Sequence, residues 1–319
     1  MYEEFYRLRQ RPFVSAPDLD FFYLSRVHRD ALAHLQLGLD SNAGFTVVTG
    51  DVGAGKTTVL QALLRSLDSR TTVARLVYTL LDPCELLEAI LIDFGIDDVP
   101  PSKPAMIRDL ARFLVEERLQ DRRVLVVIDE AQNLPQGSLE ELRMLSNLET
   151  EKSKLMQIIL VGQPELRDRL ASADLEQLNQ RITVRFHLDP LDSGETHEYI
   201  NHRLRCAAID LPLQFPPDIT ATIHARAGGI PRMINVICDA TLMAGYREDR
   251  HLVTPAVVAT VIGELESTGM LGSRTPGRRP WAPAAAEPRG TASPAAGYAA
   301  LPANDPLLQS ERQSNGVGS

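Results

Sequence analysis

From residue 45 onward the chain alternates short apolar runs with longer stretches in which apolar residues recur every three or four positions. The runs are F-T-V-V-T (45–49), V-A-R-L-V (73–77), V-L-V-V-I (124–128), M-Q-I-I-L-V (156–161) and T-V-R-F-H-L (183–188). A continuous run such as V-L-V-V-I suits a strand buried on both faces, as parallel strands are. The intervening stretches, 56–67, 84–94, 104–120, 138–148 and 164–170, carry helical spacing. Alternation of this kind predicts an α/β fold, a parallel sheet with helices on both sides.

After Pro190 the strand pattern stops. Helical spacing continues over 193–208, 217–227, 231–246 and 254–267, which predicts a second, all-helical unit. Ahead of the first run, a helix over 26–39 places Val27, Ala31, Leu35 and Leu32 on one face, and residues 1–24 hold 7 of the 16 Phe and Tyr. Such a concentration is expected to pack against something. From residue 272 the pattern fails altogether: 7 Pro, 6 Gly and 10 Ala, with no periodic apolar face, predict a disordered tail. The expected organisation is therefore a core over 1–190, a helical unit over 191–270 and a tail over 271–319.

Charge sharpens this division. The net charge is −9, but residues 272–319 hold five Arg against three acids, which leaves the preceding residues at −11. An acidic body argues against nucleic-acid binding by bulk charge, and 5% aromatic content argues against a base-stacking surface. Cys84, Cys206 and Cys238 form no C-x-x-C pair and read as reduced thiols. The charged N-terminus has no signal-like core, and no run approaches 18 apolar residues. The expected location is cytoplasmic, with no transmembrane segment, and peripheral association with the inner membrane remains compatible.

Two motifs carry chemistry. G-D-V-G-A-G-K-T at 50–57, between an apolar run and a helix, fits the phosphate-binding loop G-x-x-x-x-G-K-[ST]. Its glycines let backbone N–H groups turn inward around phosphate oxygens, and the helix N-terminus adds positive potential. The binding set is Gly50, Asp51, Val52, Gly53, Ala54, Gly55, Lys56, Thr57 and Thr58; Lys56 is expected on the β- and γ-phosphates and the Thr57 hydroxyl on Mg²⁺. V-L-V-V-I-D-E at 124–130 places two carboxylates at the edge where parallel sheets bind ligands. Asp129 is expected to hold the metal and Glu130 to polarise the attacking water; a capping pair before a helix is the plainer reading of the acids alone. ATP and Mg²⁺ are thus the expected ligands.

Such a site works by positioning and charge neutralisation, and a further cation at the γ-phosphate is worth about 10³–10⁵ in rate. Arg181 and Arg185, in L-N-Q-R-I-T-V-R-F, are both candidates, with a helix-capping surface arginine as the alternative for each. A finger here would serve a neighbouring subunit, which implies a homo-oligomer. Gln163, closing the fourth run, is placed to bond the water or the γ-phosphate. Arg232, in G-G-I-P-R-M, is placed to swing onto the phosphates from a helix start.

Together these residues resemble the AAA+ ATPases, in particular the family of general secretion pathway protein A and the exosortase-associated ATPases. The resemblance is carried by M-Y-E-E-F-Y-R-L-R-Q-R-P-F, T-G-D-V-G-A-G-K-T-T, I-D-E-A-Q-N-L, V-G-Q-P-E-L, Q-R-I-T-V-R-F-H-L and G-G-I-P-R-M-I-N, across residues 1–267. It implies Mg²⁺-dependent ATP hydrolysis, a sheet in order 5-1-4-3-2 and a C-terminal helical lid. It also implies sensor roles for Gln163 and Arg232, a finger role for Arg181, and adenine beside the N-terminal aromatic segment. The secretion member resembles an ATPase followed by a membrane span and a peptidoglycan-binding domain, neither of which follows residue 270 here. The expectation is a stand-alone ATPase with protein partners at the inner membrane, in protein sorting, secretion or exopolysaccharide export. A nucleotide-regulated DNA-binding ATPase of the transposition type and a slowly hydrolysing ATP-binding scaffold are the alternatives.

Overall fold

The computed structural model describes residues 1–149 and 154–271. The predicted tail lies outside the described residues from 272 on. Five strands form one parallel sheet: β1 (Phe45–Gly50), β2 (Thr71–Leu76), β3 (Arg123–Ile128), β4 (Gln157–Gly162) and β5 (Ile182–Leu188). Their order is β2-β3-β4-β1-β5, the expected order read from the other edge. Register pairs Val47 with Leu160 on one side and with Arg185 on the other. Parallel pairing needs a crossover between successive strands, which α3 (Lys56–Ser66), α4 (Pro83–Asp93), α5 (Lys103–Leu119), α6 (Gln136–Leu145), α7 (Pro164–Leu170) and α8 (Glu176–Asn179) supply.

The strands bury both faces, so neighbouring residues enter different cores. Val124, Val126 and Ile128 of β3 join Leu87 and Ile90 of α4, Leu110 of α5 and Leu142 of α6. Leu125 and Val127 face the other way, with Leu60 and Leu63 of α3 and Leu35 of α2 (Arg26–Asp40). This second core continues into α9 (Ser193–Ala207), α10 (Pro217–Ala227), α11 (Pro231–Arg247) and α12 (Pro255–Ser267) through Ile200, Ile223, Ile234 and Val258. Removing one such leucine or isoleucine side chain costs about 2–5 kcal/mol. Helix entries are locally encoded: Asp82 with Glu85, and Asp192 with Glu195, form capping boxes at α4 and α9.

The aromatic N-terminus packs on the C-terminal helices. Tyr2, in the four-residue α1 (Tyr2–Phe5), is fully buried and donates its hydroxyl proton to Asp239 of α11. Phe5 stacks on His251 at 4.0 Å, and the Tyr6 hydroxyl donates to the Arg250 carbonyl at 3.0 Å. Leu8 forms an antiparallel bridge with Ala208. The three cysteines are free thiols, and no helix among the described residues is long and apolar enough to cross a membrane.

Helix α6 departs from the sequence pattern at both ends. Helix α6 begins at Gln136 instead of 138, because Pro135 presets the backbone for helix entry. It ends at Leu145 instead of 148, where the Asn147 and Leu148 N–H groups bond only three residues back and tighten the chain into turns.

Candidate functional site

The loop after β1 turns on Gly53 and Gly55, with φ of +81° and +102°. Both are also tightly approached: a Cβ on Gly53 would collide with the Cβ of Arg232, and one on Gly55 would lie 2.9 Å from Nε2 of His28. Gly55 brings no capping side chain, so the first N–H groups of α3 are left for a ligand. Lys56 opens that helix almost fully buried, its Nζ donating to the carbonyls of Gly50 at 2.8 Å and Asp51 at 3.0 Å. Burial pushes the Lys56 pKa down, against the opposing pull of the Glu130, Asp129 and Asp51 carboxylates.

Thr57, one residue on, donates its hydroxyl proton to Asp129 Oδ2 at 2.9 Å across the gap between β1 and β3. Asp129 follows the last residue of β3 and accepts the Glu130 N–H at 3.0 Å on its other oxygen. Glu130 has a left-handed backbone, φ +52°, unusual for a residue with a side chain and typical of sites held by their surroundings. Gln132 donates to Glu130 Oε2 at 2.6 Å, and Gln163, at the end of β4, donates to the same oxygen at 3.1 Å. Burial pulls the Glu130 pKa up, but the hydrogen bonds from Gln132 and Gln163 and the Lys56 charge outweigh it and hold the carboxylate below its ordinary range.

Lys56, Thr57, Glu130 and Gln163 share one cleft of about 290 Å³. Val52, Gly53, Gly55, Lys56, Thr57, Thr58, Glu130, Gln163 and Arg232 line its phosphate-loop end. Gly50, Asp51 and Ala54 complete the loop beneath them, the first two as acceptors for Lys56. Arg232 starts α11, and its backbone N–H donates to the Gly53 carbonyl at 3.2 Å. The far end is lined by residues 14–18, Phe21, Phe22, Tyr23, Tyr199 and Arg203. Arg203 is buried there, donating to the Pro12 carbonyl at 2.5 Å, the Tyr199 hydroxyl at 3.0 Å and the Val14 carbonyl at 3.3 Å, with its guanidinium over Phe21.

The structure does not bring Arg181 or Arg185 to this cleft. Arg181 donates to Ser146 Oγ at 3.0 Å and to Asn147 Oδ1, just past the end of α6. Arg185, inside β5, donates to the Asn179 side chain at 2.9 Å and is partly desolvated, which pushes its pKa down. Sequence reasoning did not find Gln132, His28 or Tyr199, and it offered Arg203 only as one of several lid arginines of a nucleic-acid patch. Only Gln132 carried a signal, its place two residues after the acid pair. The others reach the cleft through tertiary packing.

The donor set suits the expected ligands. A hydroxyl and a carboxylate meet at Thr57 and Asp129, the hard oxygen chemistry that Mg²⁺ prefers. The loop glycines leave open the backbone cradle that side chains would fill. Residues 39–170 match the AAA domain family. The chain carries an AAA+ P-loop ATPase domain. General secretion pathway protein A of Aeromonas hydrophila is 41% identical over 254 residues, covering 79% of this chain and 46% of that protein. Mu-like prophage FluMu DNA transposition protein B of Haemophilus influenzae is 27% identical over 163 residues, 51% of this chain and 52% of that one. The chain spans about half the length of the curated relatives it matches. Among solved structures, the Aeropyrum pernix ORC2 protein in ADPNP-ADP complexes superimposes with a TM-score of 0.57 at 16% identity, over 80% of this chain and 74% of that one.

Proposed function

We propose that this protein is a Mg²⁺-dependent ATPase that uses hydrolysis to assemble or remodel a secretion or export complex at the inner membrane. The observation that carries the chemistry is the convergence of Lys56, Thr57, Glu130 and Gln163 at one end of one cleft, with Asp129 hydrogen-bonded to Thr57. The loop N–H groups and Lys56 bind the β- and γ-phosphates. Thr57 and Asp129 hold Mg²⁺, which neutralises phosphate charge when bound. Glu130 orients a water in line with the γ-phosphorus and takes its proton as the oxygen–phosphorus bond forms and the bond to ADP breaks. Gln163 holds Glu130 and is within reach of the same water.

The helices α9–α12, residues 191–270, act in this reading as a lid on a core of residues 1–190. Arg232 is the coupling point, since it touches the phosphate loop from the first turn of α11. Arg181 acts in trans on a neighbouring copy's nucleotide, in keeping with its place outside its own cleft. The partner assignment rests on the relative named general secretion pathway protein A. The reading is tested by ATP turnover against protein concentration: a rate per subunit that rises with assembly in the wild type, and stays at the dilute value in Arg181→Ala, supports it. A rate independent of concentration contradicts the oligomeric part.

The relative named as a DNA transposition protein favours a second reading, a DNA-binding ATPase. Of the five lid arginines that could form a patch, Arg203 holds Pro12 and Val14, Arg226 pairs with Glu266 and Arg232 lines the cleft, while Arg205 and Arg247 are exposed. Duplex DNA binding that weakens steeply with salt would restore this reading, and no binding at low salt would end it.

A further inference from the structure

Two residues past the acid pair, in the short turn Ala131–Asn133, the Gln132 side chain folds back toward Glu130. Its Nε2 donates to Glu130 Oε2 at 2.6 Å, while its Oε1 accepts the Gln163 backbone N–H at 3.0 Å. Gln163 Nε2 reaches the same carboxylate oxygen at 3.1 Å, which closes a small polar ring of three side chains. Both side-chain donors land on Oε2, and Oε1 is left to meet a water.

The ring is braced from outside. The Arg169 guanidinium donates to the Gln132 carbonyl and, at 2.7 Å, to the Leu134 carbonyl. Gly162 lies so close that a Cβ there would sit 2.8 Å from Gln132 Oε1. Thr79, buried after β2, donates to the Glu130 carbonyl at 3.2 Å. A left-handed glutamate persists only where neighbours over-determine it, and these contacts do so.

We propose that Gln132 is a positioning residue for hydrolysis: it holds one oxygen of the Glu130 carboxylate, aims the other at the attacking water and ties the base to Gln163. The inference rests on Glu130 being the base.

The test measures kcat and ATP affinity for wild type, Gln132→Met and Gln132→Glu, with Glu130→Gln alongside. Gln132→Met fills the same space without a donor. It is expected to lose about tenfold or more in kcat while keeping ATP affinity within about twofold. Gln132→Glu, nearly identical in shape, replaces the donor with a second carboxylate facing Oε2 and should lose at least as much; it carries the comparison if the Met variant fails to fold. Wild-type kcat in these variants, or an ATP affinity that falls as far as kcat does, would overturn the positioning role. If Glu130→Gln itself turns over normally, the fault lies with the base assignment instead, so the two failures are distinguishable.

Discussion

The two ends of the cleft are built by different means. At the phosphate-loop end, every key contact comes from a few residues at the ends of β1, β3 and β4: Lys56 on its own loop carbonyls, Thr57 on Asp129, Gln163 on Glu130. At the far end, Arg203 of α9 grips the carbonyls of Pro12 and Val14 across 191 and 189 residues of chain. The first end is fixed by local backbone geometry on a rigid sheet. The second exists only once the N-terminal segment has docked on the C-terminal helices, and it joins nucleotide binding to helix packing.

That contrast can be broken at several points. Lys56→Ala should have the largest effect, because it removes the buried cation facing the phosphates. ATP affinity is expected to fall about 100-fold or more while the melting temperature stays close to wild type, checked by calorimetric titration and thermal unfolding. Arg203→Leu should do the reverse. Stranding the Pro12 and Val14 carbonyls costs about 2–3 kcal/mol, a melting temperature lower by about 5–10 °C, and ATP affinity changes less than in Lys56→Ala. Tyr2→Phe removes one hydroxyl from Asp239, which keeps its ion pair with Arg11 at 2.6 Å. It should cost about 1 kcal/mol of stability and leave turnover alone. An Arg203 variant that binds ATP as poorly as the Lys56 variant would erase the distinction between the two ends.

The same contrast explains what was legible in the sequence. Runs such as V-L-V-V-I announce strands because a strand buried on both faces admits almost no polar residue, and β3 and β4 sit where their runs placed them. The phosphate loop is legible because its glycines are demanded by backbone angles and close approach at Gly53 and Gly55. Arg203 was not, since an arginine at helical spacing looks like any solvated residue until its partners arrive from the other end of the chain. The aromatic cluster in residues 1–24 promised packing without naming its surface: Tyr2, Phe5 and Tyr6 meet α11 and the turn after it, and Phe21 and Tyr23 meet Arg203 and Tyr199 of α9. Gln132 lies between: its position beside the acid pair was visible, but its bond to Glu130 depends on the left-handed turn there.

The central claim is that Glu130 activates water on an ATP held by the phosphate loop. Single-turnover hydrolysis of radiolabelled ATP by Glu130→Gln, with Mg²⁺ and saturating protein, tests it most directly. ATP binding close to wild type and a hydrolysis rate at least about 100-fold lower are expected. Unchanged hydrolysis with unchanged binding would contradict it.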